Sequence, residues 1–456
     1  MARRQTTWWR SVVMCMAVAC MPVAALAADP PSLQAQVKQA NDLLKDGKLD
    51  DAWVLVGQAL AQAEATGNPG VILPVLTMRQ GMQTMRRDYP GAEATAQRAF
   101  ALADQLGSPA RMMGTAVALN ATSMYLIWGR PAQAEPWARR TLAGLEAIER
   151  DGSLHQTGLG LLANVEEQLG KYALAQQHTE QEMALAAKTA PRNPARTVAM
   201  LLRLADLRSK RGDQPGAQAA WAQALPLQTT LAGQDKRAAD LVALARIHRG
   251  LGQPANARAA LDRAVAAAVA AGDVPALVLS TSRDQMAKRQ EANAKVSAWQ
   301  GIGRLERDEG RLAEAEAAFR RAVAMSEAMD GPGNADLPPM QVDLADVLRD
   351  RGQWAAADAV YAAALAAMDQ TAGGTAPRLP QALDGLARVR WAQGQRADAE
   401  ALLRRAIDQH ALYIASDHPQ LVPALQLLAE VLTATDRGAE AQATLARATA
   451  IREMQR

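Results

Sequence analysis

Small and large apolar positions alternate along this chain in a pattern that repeats about every 42 residues. Ten times a turn residue is followed five places later by Ala, and four places beyond that by a position that is usually large and apolar. The turn residues are Gly47, Arg87, Gly129, Gly170, Gly212, Gly252, Gly310, Gly352, Gly394 and Asp436. The alanines are Ala52, Ala92, Ala134, Ala175, Ala217, Ala257, Ala315, Ala357, Ala399 and Ala441. Val56, Trp221, Leu261, Phe319, Tyr361, Leu403 and Leu445 take the large position in seven units, with Ala96, Ala138 and Thr179 in the other three. Turn residues are 40–42 apart except for one interval of 58, between Gly252 and Gly310. A fixed period in this range predicts stacked supersecondary units, each burying its apolar face only against its neighbours. Helical spacing within each unit makes it a helix–turn–helix pair, about ten in all.

The clearest unit gives each position a mechanical role. Gly303 and Ala315 are small where two antiparallel helices cross, and Trp299, Ile302 and Phe319 fill the space between that pair and the next. Gly310 ends the first helix where a left-handed residue is needed without Cβ strain. Composition agrees: the chain is 49% hydrophobic but only 4% aromatic, and its apolar fraction is dominated by Ala, the best helix former. The fold class is all-α. The run W-x2-I-G followed by A-x3-F resembles the tetratricopeptide repeat, and the 42-residue period resembles its kinesin-light-chain-like form. Arg405-Ala406-Ile407 with Asp417-His418-Pro419, and prolines at Pro338-Pro339 and Pro380 before first helices, carry the same likeness. It covers residues 32–456, strongly from 295. Trp at the first aromatic position once only, Tyr125 alone at the middle position and few closing prolines depart from the pattern. The resemblance implies a right-handed superhelical α-solenoid whose first helices line a concave groove. It divides the chain into an array of about six units over 28–273, an extra helix or elongated connection over 274–294, and four units over 295–456.

The N-terminus changes the electrostatic picture. Arg3, Arg4 and Arg10, an apolar run from Val12, and Ala25-Leu26-Ala27 predict a signal peptide over 1–27, cleaved before Ala28. The expected location is the periplasm or outside the cell, with a lipid on Cys20 as the minor alternative. Cleavage removes three Arg and no acid, so the formal charge falls from +3 to 0, with 47 basic and 47 acidic residues remaining. No nucleic-acid partner is expected from that balance. Both cysteines, Cys15 and Cys20, leave with the signal.

Catalytic patterns are missing from the sequence: no G-x-S-x-G, P-loop or H-E-x-x-H is present. Among five histidines only His410 and His418 lie near each other, eight apart, and His418 precedes Pro419 in a loop element read as structural. No enzyme, metal or cofactor is expected. Met112-Met113 and the methionines from Met78 to Met85 read as core filler, and the acids Glu314, Glu316, Glu166 and Glu167 as solvated helix faces. The groove is the candidate site. Template positions one turn apart on successive first helices are Arg246/Arg249, Arg304/Arg307, Asp346/Arg349 and Arg388/Trp391, with Asn41, Ser123, Asn164/Glu167 and Asp206 further toward the N-terminus. Aligned arginines match carboxylates bidentately, which points to an acidic or carboxylate-ended protein segment as partner. The expected function is an exported scaffold or adaptor; the alternative is a structural subunit of an envelope, secretion or polysaccharide-export machine. The last helix is polar in part and covers the end of the array; where it leaves an apolar edge, that edge is a surface for self-association.

Overall fold

The computed structural model describes residues 31–454 apart from 151, 189–192, 235–236, 278–281, 332–333, 335 and 373–377. The signal segment 1–27 and both cysteines lie outside the described residues. Twenty α-helices are described, in consecutive antiparallel pairs. They are α1 (Pro31–Lys45) with α2 (Leu49–Ala65), α3 (Pro69–Met85) with α4 (Tyr89–Leu106), and α5 (Arg111–Ile127) with α6 (Pro131–Ile148). Next come α7 (Ser153–Gln168) with α8 (Tyr172–Lys188), α9 (Pro194–Lys210) with α10 (Gln214–Gln234), and α11 (Ala238–Gly250) with α12 (Pro254–Ala270). The last four pairs are α13 (Arg283–Asp308) with α14 (Leu312–Asp330), α15 (Leu337–Asp350) with α16 (Trp354–Ala372), α17 (Leu379–Ala392) with α18 (Arg396–Tyr413), and α19 (Leu421–Thr433) with α20 (Gly438–Glu453).

One turn geometry explains the repeat. All ten predicted turn residues have positive φ, from 57° at Asp436 to 80° at Gly212. The residue after each returns its N–H to a carbonyl five back, as Lys48 does to Leu43 and Arg311 to Glu306, both at 2.9 Å. This closes the end of the first helix by satisfying carbonyls that would otherwise be orphaned. Arg87 (φ 62°) and Asp436 show that the position accepts a side chain.

The ten alanines are all at most 3% exposed. A side chain larger than methyl at these positions would hold the paired helices apart. Gly303 is held to the same standard, since a Cβ there would lie 2.9 Å from the Phe319 ring. The large positions are buried at Val56, Leu261, Phe319, Tyr361 and Leu403. Leu445, expected in the same role, is 46% exposed because no described helix packs on the far side of α20.

The long interval between the sixth and seventh units is filled by a lengthened first helix. The 26-residue α13 starts at an N-cap, Ser282, whose hydroxyl accepts from the Gln285 N–H at 3.2 Å, as N-cap serines do. Before it, Val274 joins a small core with Val296, Met325 and Met329, and the Leu277 N–H donates to the Met329 carbonyl at 2.9 Å. Buried Arg289 binds Asp330 at 2.7 Å and the Leu277 carbonyl at 3.3 Å, tying the connection to α14.

Two readings of surface and core are corrected. Met112 is 44% exposed, whereas Met78 and Met82 are core residues. Glu166, Glu167 and Glu316 are buried rather than solvated. Each finds a cation or ring beyond its own helix: Glu166 meets His178 at 2.7 Å, Glu167 meets Lys210 at 2.8 Å, and Glu316 pairs with Arg351 as well as with Arg320 of its own helix. Helical pairs with small residues pack so closely that long side chains are covered by the neighbouring unit and must be paired there.

Candidate functional site: the inner wall of first helices

Successive first helices touch across unit boundaries, α3 with α5, α11 with α13, and α15 with α17, and so form the inner wall of the array. The predicted arginines come into line on that wall, and each meets an aspartate. Arg246 of α11 pairs with Asp206 of α9, and Arg249 with Asp308 of α13. Arg304 of α13 binds Asp343 of α15 at 2.7 Å. Arg307 reaches Asp346 at 3.1 Å and Asp350 at 2.6 Å. Arg349 binds the same two aspartates from their own helix, at 3.1 and 2.9 Å, and approaches the Tyr361 hydroxyl at 3.3 Å. Arg388 pairs with Asp384 at 3.0 Å and donates to the Pro423 carbonyl at 3.2 Å. Trp391 is half-buried against the core of the last two units.

Most of these pairs cross from one unit to the next. The wall is therefore a ladder of opposite charges rather than a bare cationic stripe. Its centre is Asp343, almost wholly buried, which accepts from Arg304 and from Arg378 at 2.6 Å. Burial pushes the Asp343 carboxyl up, but the Arg378 and Arg304 guanidiniums outweigh it and hold the group below its ordinary value. Burial likewise works against the Arg307 charge, and Asp346 and Asp350 reverse it, holding the guanidinium above its ordinary value. Arg378 itself sits in the left-handed region at φ 68° as the N-cap of α17, its side chain also donating to the Pro339 carbonyl at 2.8 Å.

Toward the N-terminus the first helices carry hydroxyl and amide side chains before charged pairs return at Glu167 and Asp206. Thr77 and Thr122 donate to carbonyls four residues back in their own helices, and Ser123 is buried. Gln80 donates to the Val117 carbonyl of the next first helix at 3.4 Å. Asn164 accepts from Gln168 at 3.4 Å, Glu167 binds Lys210 of α9, and Asp206 is the acceptor of Arg246. Asn41 lies on α1.

The template located the arginines but left out Asp343, Asp350 and Arg378. A signal for them existed: Asp343, Asp346 and Asp350 share one face of α15 and fall 39–43 residues after Arg304 and Arg307. Among the described residues no group of three or more His, Cys, Asp or Glu is arranged to hold a metal ion, and no helix is long and apolar enough to cross a membrane.

Residues 296–329 and 336–410 match tetratricopeptide repeat family models. Among solved structures, the chain is similar to a Rap protein complexed with competence and sporulation factor, at 14% identity over 84% of this chain and 98% of that one, with a TM-score of 0.47. It is similar to a tetratricopeptide repeat protein from Parabacteroides merdae at 17% identity, over 65% and 94% of the two chains, with a TM-score of 0.46. It is also similar to a putative kinesin light chain with nearly identical repeats from Podosopora anserina, at 23% identity over 47% and 95%, with a TM-score of 0.36. No curated protein sequence matches the chain.

Proposed function

We propose that this tetratricopeptide-repeat chain is a non-catalytic scaffold that holds a carboxylate-bearing protein segment along its inner wall. The observation that supports the reading is the charge ladder running through α9, α11, α13, α15 and α17. Each guanidinium carries five donors, and Asp206, Asp308 and Asp343 each take one hydrogen bond from Arg246, Arg249 and Arg304 respectively. All three side chains stay partly exposed, at 30–41%, and a second carboxylate would meet them in the bidentate geometry that an arginine fork favours. The regular rise of the ladder suits an extended segment that meets one arginine pair per unit. In this reading the kinesin-light-chain-like period sets that spacing.

The test is capture of partners by the tagged full-length chain in its native cells after mild crosslinking, followed by the Arg304→Glu/Arg307→Glu variant. The reversal sets two acids against Asp343, Asp346 and Asp350 and should lower stability. At a temperature where circular dichroism shows the variant still fully helical, it should cut partner affinity by tenfold or more, about 1.4 kcal/mol or above. Equal binding by a folded variant would remove the inner wall from the function.

In the same reading residues 1–27 are an export signal and the scaffold works in the periplasm or outside the cell. Cell fractionation with N-terminal sequencing should recover a chain that begins at Ala28. Recovery of the uncut chain from the cytoplasm would overturn the export half of the proposal and leave the scaffold half standing.

A further inference from the structure

The array curves until its two halves meet edge to edge. Two contacts join the turns of the third and fourth units to the end of the ninth and the loop after it, and a charge interaction joins the turn of the second to the segment after the seventh. Arg87 and Tyr89, beginning α4, share an electrostatic environment with Asp336, just before α15. Arg130, after α5, lies with its guanidinium 3.4 Å from the Trp128 ring centre and 4.7 Å from that of Tyr413, at the end of α18. Gly170, after α7, receives the loop between α18 and α19. A Cβ on Gly170 would lie 2.8 Å from Pro419 Cδ and 3.0 Å from His418 Cδ2.

His418 is the centre of this last contact. It is 3% exposed. Its Nδ1 accepts from the Gln420 N–H at 3.1 Å, and its ring also hydrogen-bonds the Gln168 backbone. His410 stacks on it with ring centres 5.6 Å apart. The seam is built, with aromatic, cationic and backbone partners each in place, yet it is small. Within a unit, by contrast, each helix pair shares a continuous apolar core. Sub-global openings follow the weakest interface in a structure, and here that interface is the seam.

We propose that the end of α18 and the 414–420 loop form a latch that closes the array onto its third and fourth units, and that the latch opens while the helix pairs stay folded. In the closed state the curve encircles the inner wall. Opening frees one side of the curve and admits a segment laterally instead of by threading. The latch opens and closes whatever the inner wall binds.

A matched pair of substitutions isolates the latch. Gly170→Asn and Gly212→Asn place the same side chain at the same turn position in adjacent units, and asparagine tolerates left-handed φ. At Gly212 nothing lies within 4 Å of the added Cβ, whereas at Gly170 it strikes Pro419 and His418. Spin labels at Ala173→Cys and Ser416→Cys, in the full chain with Cys15 and Cys20 replaced by serine, report the seam by pulsed dipolar spectroscopy. The unsubstituted chain and Gly212→Asn should give the same narrow, short distance distribution. Gly170→Asn should give a longer, broader one at unchanged helicity. Should Gly170→Asn fail to fold, Tyr413→Ala, which removes one side of the Arg130 sandwich, should lengthen the distance in the same direction. Identical distributions for Gly170→Asn and Gly212→Asn, or a long distance in the unsubstituted chain, would refute the latch.

Discussion

Replacing Asp343 with alanine should lower the unfolding free energy by about 3 kcal/mol, as expected when one partner of a buried ion pair is removed. The loss falls on two arginines at once. Arg304 and Arg378 keep their charges but lose the carboxylate that bridges α13 to the start of α17. Both are about one-third exposed and can turn toward water, which keeps the effect at the lower end of the range for buried pairs. Arg378 has a second reason to respond, because the bridge helps hold it at positive φ, a conformation costing a non-glycine residue of order 1 kcal/mol or more. Without the bridge the first turn of α17 should fray. Chemical denaturation measures the total, and amide exchange at Leu383 and Leu386 locates it. Asp343→Asn, which keeps an acceptor between the guanidiniums, should cost less. A change below about 0.5 kcal/mol for the alanine variant, the level of an ordinary surface substitution, would show that the bridge is not a structural centre of the ladder.

Acid should weaken the chain steeply, through the buried histidines. Burial holds His418 at about 4 and His410 at about 3, against an ordinary value of 6.5. For His418 the Lys210 ammonium adds to the depression, opposed by Asp417 and the Gln168 hydrogen bond. His410 is depressed further by His418 itself. The folded chain therefore binds fewer protons than the unfolded chain below pH 6.5. Stability is fully present above that pH and is lost as pH falls toward 4, at a cost of roughly 3 kcal/mol from His418 alone. Denaturation midpoints from pH 7.5 to 4 should fall in that window, beyond the shift caused by carboxylates further down. His410 has an Nδ1 without a hydrogen-bond partner among the described residues, so His410→Leu should keep the neutral-pH stability and flatten part of the acid slope. A midpoint that does not move between pH 6.5 and 4.5 would mean that neither histidine is buried in solution.

The sequence disclosed whatever depends on short spacing. Gly310, Ala315 and Phe319 occupy one helix end and the helix beside it, so their roles follow from ten consecutive positions. The partners of Arg304 and Arg307 were harder to see because they lie a full unit away, where a charged residue on a helix face looks the same whether it meets water or a neighbour. Glu167 and Glu316, whose partners Lys210 and Arg351 lie in the next unit, were misread for this reason. The exposure of Leu445 depends on what packs beyond α20, which no residue within its unit encodes. The seam was hidden most deeply. His418 and Gly170 meet only because small rotations between six successive units accumulate into a closed curve, and no local pattern carries that sum.

That closure fixes how many units the array contains between its joined edges. Arg87 and Asp336 are 249 residues apart, and Gly170 and His418 are 248 apart, so each edge spans the same six units. Repeat arrays ordinarily lengthen and shorten by whole units with little penalty, since each unit contacts only its neighbours. Here a unit gained or lost between Gly170 and His418 would carry the Pro419 loop past its glycine and set it against a different turn. Most point substitutions leave that register alone. A duplication between Gly170 and Asp336 breaks it at every contact simultaneously, and the seam acts as a gauge that holds the array to one length.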